Sequence, residues 1–100
     1  MNVYHLTHRV YKEFKDLEFK PHPMAMLRMK QAVITFDNGY KVSVVQGLSM
    51  DDPEKYEVAL IVADRIINES VCGRLIPEYV TVRMREFQDL PPLANSAGLG

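Results

Sequence analysis

Phe36-Asp37-Asn38-Gly39-Tyr40 decides the fold. Asn-Gly is the strongest short hairpin signal, because tight hairpin turns need positive φ and these two residues adopt it most readily. On either side, residues 31–36 and 40–46 are rich in β-branched and aromatic side chains. A two-residue loop would pair Phe36 with Lys41 and Ile34 with Ser43, mixing apolar and polar partners. A three-residue Asp37-Asn38-Gly39 loop pairs Phe36 with Tyr40, Ile34 with Val42 and Ala32 with Val44. Thr35 with Lys41, Val33 with Ser43 and Gln31 with Val45 then share the other face. A slip of one residue sends a strand's side chains to the opposite face, so the segregated register is the expected one. It places Gly39 in the left-handed conformation of a bulged turn.

Downstream, residues 47–53 form a polar, acidic loop. Residues 56–63 read as a strand apolar on both faces, which suits a central position covered on each side. A turn at Asp64-Arg65 leads into a short strand over 65–68, and Gly73 breaks the chain. Pro77 opens a helix over 77–89, because at the first helical position its missing N–H costs nothing. Ile76, Tyr79, Val80, Met84 and Phe87 form its apolar stripe, with Thr81, Arg85 and Gln88 toward water. Leu90-Pro91-Pro92 stops it, and residues 93–100 read as a flexible tail.

Upstream, Val3, Leu6, Val10, Phe14 and Leu17 recur at three- and four-residue steps, which predicts an amphipathic helix over 3–18. A strand through Tyr4-His5-Leu6-Thr7 fits the same residues. Pro21-His22-Pro23 ends whichever forms. Residues 24–29 hold three methionines, suited to filling irregular core gaps or to an adaptable surface. The expected fold is α+β in one domain over 1–92. An antiparallel meander of three to four strands packs with a C-terminal helix and an N-terminal one.

Composition agrees with a small globular domain: 47% apolar and 25% charged residues are ordinary values. The longest apolar run, residues 58–63, is too short to cross a bilayer, so no membrane association is expected. Nor does the N-terminus carry the apolar core of a secretory signal, which points to the cytoplasm. Cys72 is the single cysteine, which rules out an intrachain disulfide and a multi-cysteine zinc site. Net charge is −1, but it is uneven: residues 1–30 carry six Lys/Arg against three Asp/Glu, and residues 31–70 three against seven.

No constellation of catalytic type stands out. His5 and His8, with Glu13 or Asp16, fall short of a complete metal set. Cys72 lacks a local base and orienting group, and reads as structural. Asp51, Asp52, Glu54 and Glu57 lack the regular spacing of a calcium loop. Phosphate-loop and hydrolase motifs are missing. A non-enzymatic chain without cofactor or metal is therefore expected. A basic set, Arg9, Lys12, Lys15 and Lys20, interleaved with Tyr4, Tyr11 and Phe19, suggests a nucleic-acid face. Against it stands a pI near 6.3, below the value above ~9 usual for such domains.

Leu17-Glu18-Phe19-Lys20-Pro21-His22-Pro23, Phe36-Asp37-Asn38-Gly39-Tyr40 with Val42-Ser43-Val44, and Tyr56-Glu57-Val58-Ala59-Leu60 together resemble small proteins of tailed bacteriophages and prophages. The resemblance spans residues 17–90 and brings no catalytic residues with it. It implies an accessory phage product made in the bacterial cytoplasm. The leading expectation is a protein that binds a host protein, as an inhibitor of a bacterial defence system. The expected contacts are Met24, Met26 and Arg28 before the hairpin and Met50, Asp51 and Asp52 after it. Nucleic-acid binding through the basic N-terminal third is the second reading. Self-assembly is the third, through an exposed hairpin edge or the apolar face of the N-terminal segment.

Overall fold

The computed structural model describes residues 10–23, 29–47 and 51–93. Over these the chain is α+β. Six strands form one antiparallel sheet: β1 Lys20–Pro21, β2 Lys30–Thr35, β3 Lys41–Gln46, β4 Tyr56–Val62, β5 Arg65–Ile66 and β6 Cys72–Leu75. The strands run in the order β1-β2-β3-β4-β5, and β6 also pairs with β4. One helix, α1, spans Pro77–Gln88.

The hairpin adopts the segregated register. Ile34 faces Val42 and Ala32 faces Val44. Phe36 N–H donates to the Tyr40 carbonyl at 2.8 Å, and Gly39 N–H donates to the Phe36 carbonyl at 2.9 Å. Gly39 has φ +95, as the bulged loop requires. On the covered face, Phe36, Val42, Val44, Val58 and Leu60 pack against Val80, Met84 and Phe87 of α1 in one core.

Asn38 reaches beyond its own turn. Its buried side chain donates through Nδ2 to the carbonyls of Phe87 at 2.8 Å and Leu90 at 3.1 Å, with Gln88 O more distant at 3.3 Å. Its Oδ1 accepts from Tyr40 N at 3.3 Å, and its own carbonyl accepts from Leu93 N at 3.1 Å. A helix end leaves carbonyls without intrahelical donors, and here the hairpin tip supplies them. Gly39 lies under the same segment: a Cβ there would sit 3.3 Å from Leu93 Cδ1.

Residues 10–16 do not continue the expected N-terminal helix. They run beside α1 as a strap whose helical content is a 3₁₀ turn at Phe14–Asp16; residues 3–9 of that expectation lie outside the described residues. Backbone donors that a helix would use internally go elsewhere. Lys12 N donates to Gln88 Oε1 at 2.8 Å, Gln88 Nε2 returns a bond to Lys12 O at 2.9 Å, and Phe14 N donates to Thr81 Oγ1 at 3.0 Å. Tyr11 OH donates to Asp89 Oδ1 at 2.6 Å, and Arg85 pairs with Glu13. So Thr81, Arg85 and Gln88, expected to face water, hold the strap, and Gln88 is buried. Conversely Ile76 and Tyr79, expected in the buried stripe, are exposed. Phe14, Phe19 and Tyr56 then form an aromatic cluster with ring centroids 5.0–5.8 Å apart.

Four strand readings change. Lys20–Pro21 pairs with β2, although Pro21-His22-Pro23 predicts a stop there. His22 N–H bonds Met29 O at 2.8 Å, so the alternation of the ladder puts Pro21 and Lys30 in a non-hydrogen-bonded pair, where a missing N–H costs nothing. The turn after β4 is Ala63-Asp64, with φ of 53 and 65, which shortens that strand to Val62. The following strand ends at Ile66, where the chain enters a 3₁₀ turn at Asn68–Ser70. Finally β6 forms where Gly73 suggested a break. β5 and β6 share one edge of β4, and the buried Ser70 hydroxyl bridges them, accepting from Leu60 N at 2.8 Å and donating to Ile67 O at 2.6 Å. The expected tail retains Leu93 as an ordered contact, and residues 94–100 lie outside the described residues.

Two substitutions test these ties. Asn38→Asp removes the donors and sets a carboxylate against the negative end of α1, so urea denaturation should show a loss of about 2–3 kcal/mol. Gln88→Leu keeps volume but unpairs the Lys12 backbone. It should cost about 1–2 kcal/mol and accelerate hydrogen exchange at Lys12 before that of β3.

Candidate interaction surface

Side chains alternate along strands, so the sheet has a second face turned away from α1. Three rows of facing residues cross it. Thr35, Lys41, Ile61 and Ile66 form one, Val33, Ser43 and Ala59 the next, and Gln31, Val45 and Glu57 the third. An antiparallel sheet with one solvated face ordinarily makes that face polar. Here Val33 is 51% exposed and Ile66 54%, with Val45 and Ile61 half-buried between them. In the middle the small side chains of Ser43 and Ala59 are buried by their longer neighbours. The apolar side chains of this face are rimmed by Gln31, Lys41 and Glu57. Gln31 Nε2 donates to Ser43 Oγ at 3.0 Å, which fixes one side of the rim.

Glu57 carries the electrostatic strain of this face. Burial pushes its carboxyl above the ordinary value of 4.5, since desolvation penalises the charged form. β4, expected to be covered on both sides, has α1 on one and, among the described residues, no helix on the other.

The residues singled out from sequence fall elsewhere. Met24, Met26, Arg28, Met50 and Arg9 lie outside the described residues. Asp51 and Asp52 lie beside Arg74 of β6, at 3.9 and 3.7 Å, on the far edge of the sheet. Lys12 and Lys15 line a cleft of about 320 Å³ along the strap, together with Glu13, Asp16 and Arg85. Carboxylates therefore alternate with the lysines there, and Lys20 stands apart on β1 beside Gln31. A second cleft of about 200 Å³ lies between the strap and the hairpin tip, lined by Lys12, Phe36, Asn38 and Gln88. Cys72, half-buried in β6, pairs with Val58.

The exposed band was partly visible beforehand. Val33 and Val45 already stood on the polar face of the expected hairpin, and residues 56–63 were apolar at both parities. What was not visible was that only one face would receive a helix. No helix among the described residues is long and apolar enough to cross a membrane. No group of three or more metal-ligating side chains gathers among them either.

A raised carboxyl favours folding in its protonated form, so Glu57 contributes most at low pH and that contribution is lost as pH rises through its folded value. Glu57→Gln should therefore stabilise the protein slightly at neutral pH and have no such effect below the ordinary carboxylate range, as read by thermal melts across pH. Searched against protein-family models, curated proteins and solved structures, the chain matches none.

Proposed function

We propose that this chain is a non-enzymatic accessory protein of a phage or prophage that binds a host bacterial protein and inhibits it, a defence system being the target class. The observation that carries the binding reading is the open sheet face. A contiguous apolar surface rimmed by polar groups marks an interaction site more often than a solvated face. Val33 and Ile66, exposed on it with Val45 and Ile61 half-buried between them, are the apolar side chains a partner would cover. The rigid cap and strap on the other side hold this face in one shape, which lowers the ordering cost of association. The phage context comes from the sequence resemblance alone.

Among the described residues Lys12 and Lys15 stand beside Glu13 and Asp16 rather than in a basic run, which makes nucleic-acid binding through Arg9, Lys12, Lys15 and Lys20 the second reading. Ile66→Asp and Val45→Asp place charges on the open face without touching the core. Bacterial protein retained by immobilised wild type should be lost from both variants at unchanged melting temperature. Equal retention by wild type and variants would remove the open face as the binding surface.

A further inference from the structure

β2 is an edge strand over part of its length. β1 pairs with it only at Lys30 and Gln31, and β3 covers its other side. The hydrogen bonds at Phe36 and Met29 set the alternation. Residues 30, 32, 34 and 36 direct their backbone groups to β3, and residues 29, 31, 33 and 35 direct theirs outward. Beyond β1, the outward N–H and C=O groups of Val33 and Thr35 therefore face no strand among the described residues. Within residues 32–35 no sequence feature blunts this edge. Ala32, Val33, Ile34 and Thr35 include no proline, charge or bulge, the devices by which edge strands avoid pairing.

We propose that a second copy of this chain occupies the edge, pairing β2 with β2 antiparallel about a two-fold axis through Ile34. In that register Val33 of each copy faces Thr35 of the other. Both are outward-facing positions, so each pair exchanges two N–H···O bonds and all four exposed donors find acceptors. Ile34 of each copy meets Ile34 of the other in the non-hydrogen-bonded position between them, where side chains approach most closely. A shift of one residue would oppose outward groups to inward ones, so the backbone itself selects this register.

Charge selects the same arrangement. β1 already places Lys20 opposite Gln31 on this edge, so the new ladder is confined to residues 33–35, and Asp37 of one copy reaches the end of the other copy's β1 at Lys20. Asp37 and Lys20 are both exposed, and position 37 begins the turn away from the strand. The pairing thus brings Asp37 of each copy to Lys20 of the other at both ends of the new ladder. A single two-fold contact of this kind is self-complementary and closes at a dimer. Helix α1 of both copies lies on one side of the joined sheet and the open faces on the other.

Sedimentation velocity on the purified protein alone, from micromolar to near-millimolar concentration, tests this independently of any host partner. The wild type should pass from monomer to dimer and stop there. Thr35→Pro deletes an outward N–H without touching the β2–β3 ladder, and symmetry makes that two lost bonds. It should weaken the dimer about tenfold or more. Asp37→Lys should weaken it too, and adding Lys20→Asp should restore it, a rescue that a purely structural role for either residue would not produce. A wild type that stays monomeric throughout overturns the proposal, as does a dimer indifferent to both Thr35→Pro and Asp37→Lys.

Discussion

The carboxamide of Asn38 is the interaction on which the rest of the structure depends. A hairpin loop and a helix terminus each leave backbone groups in want of partners, and in most folds they are satisfied separately. Here one side chain serves both, with Oδ1 turned to the loop and Nδ2 to the carbonyls at the end of α1. That shared bond sets the helix across the covered face of the sheet. Gln88 in the last turn can then present its amide to Lys12, and the strap closes the remaining side. The aromatic cluster of Phe14, Phe19 and Tyr56 follows from the strap's position. Removal of the carboxamide therefore acts on three layers at once.

The sheet is built unevenly around β4. One edge of that strand has a full partner in β3, whereas the other is divided between two short strands. Such a division would strand a backbone N–H at Leu60, and burying an unpaired donor is costly. Ser70 removes the cost with its hydroxyl. The short strands also keep that side of the sheet from offering a long pairing edge. Among the described residues no comparable device covers residues 33–35 of β2, so the two borders of the sheet differ.

How much could be read from sequence depended on the range of the interaction. The hairpin and its register were legible because the deciding pairs, such as Ile34 with Val42, lie close in sequence and segregate by polarity. Helix α1 was legible from Pro77 and its periodicity, but not which polar side chains would be buried. Gln88 looks like any solvent-facing glutamine until Lys12, far away in sequence, is placed against it. The same distance misled the reading of the N-terminal segment. Phe14 and Leu17 have helical spacing, yet they reach the core equally well from an extended strap with one tight turn. β6 was hidden by Gly73 and by Arg74, whose φ of 60 breaks the strand pattern. The open face could be suspected from two-sided apolar character in β4. The count of helices available to cover it was a tertiary matter.

The joining of Asn38 to residues 87–93 also bears on the order in which the chain is made. Translation delivers the hairpin long before the segment that accepts its amide protons. Until residue 90 has emerged, Asn38 can be satisfied only by water, and the hydrophobic face of β2, β3 and β4 has no helix to lie under. Because domains complete as units while synthesis proceeds from the N-terminus, the nascent sheet is an unfinished surface between the emergence of β4 and that of α1. The last turn of α1 is then a closing step that covers the core, caps the helix and captures the strap together.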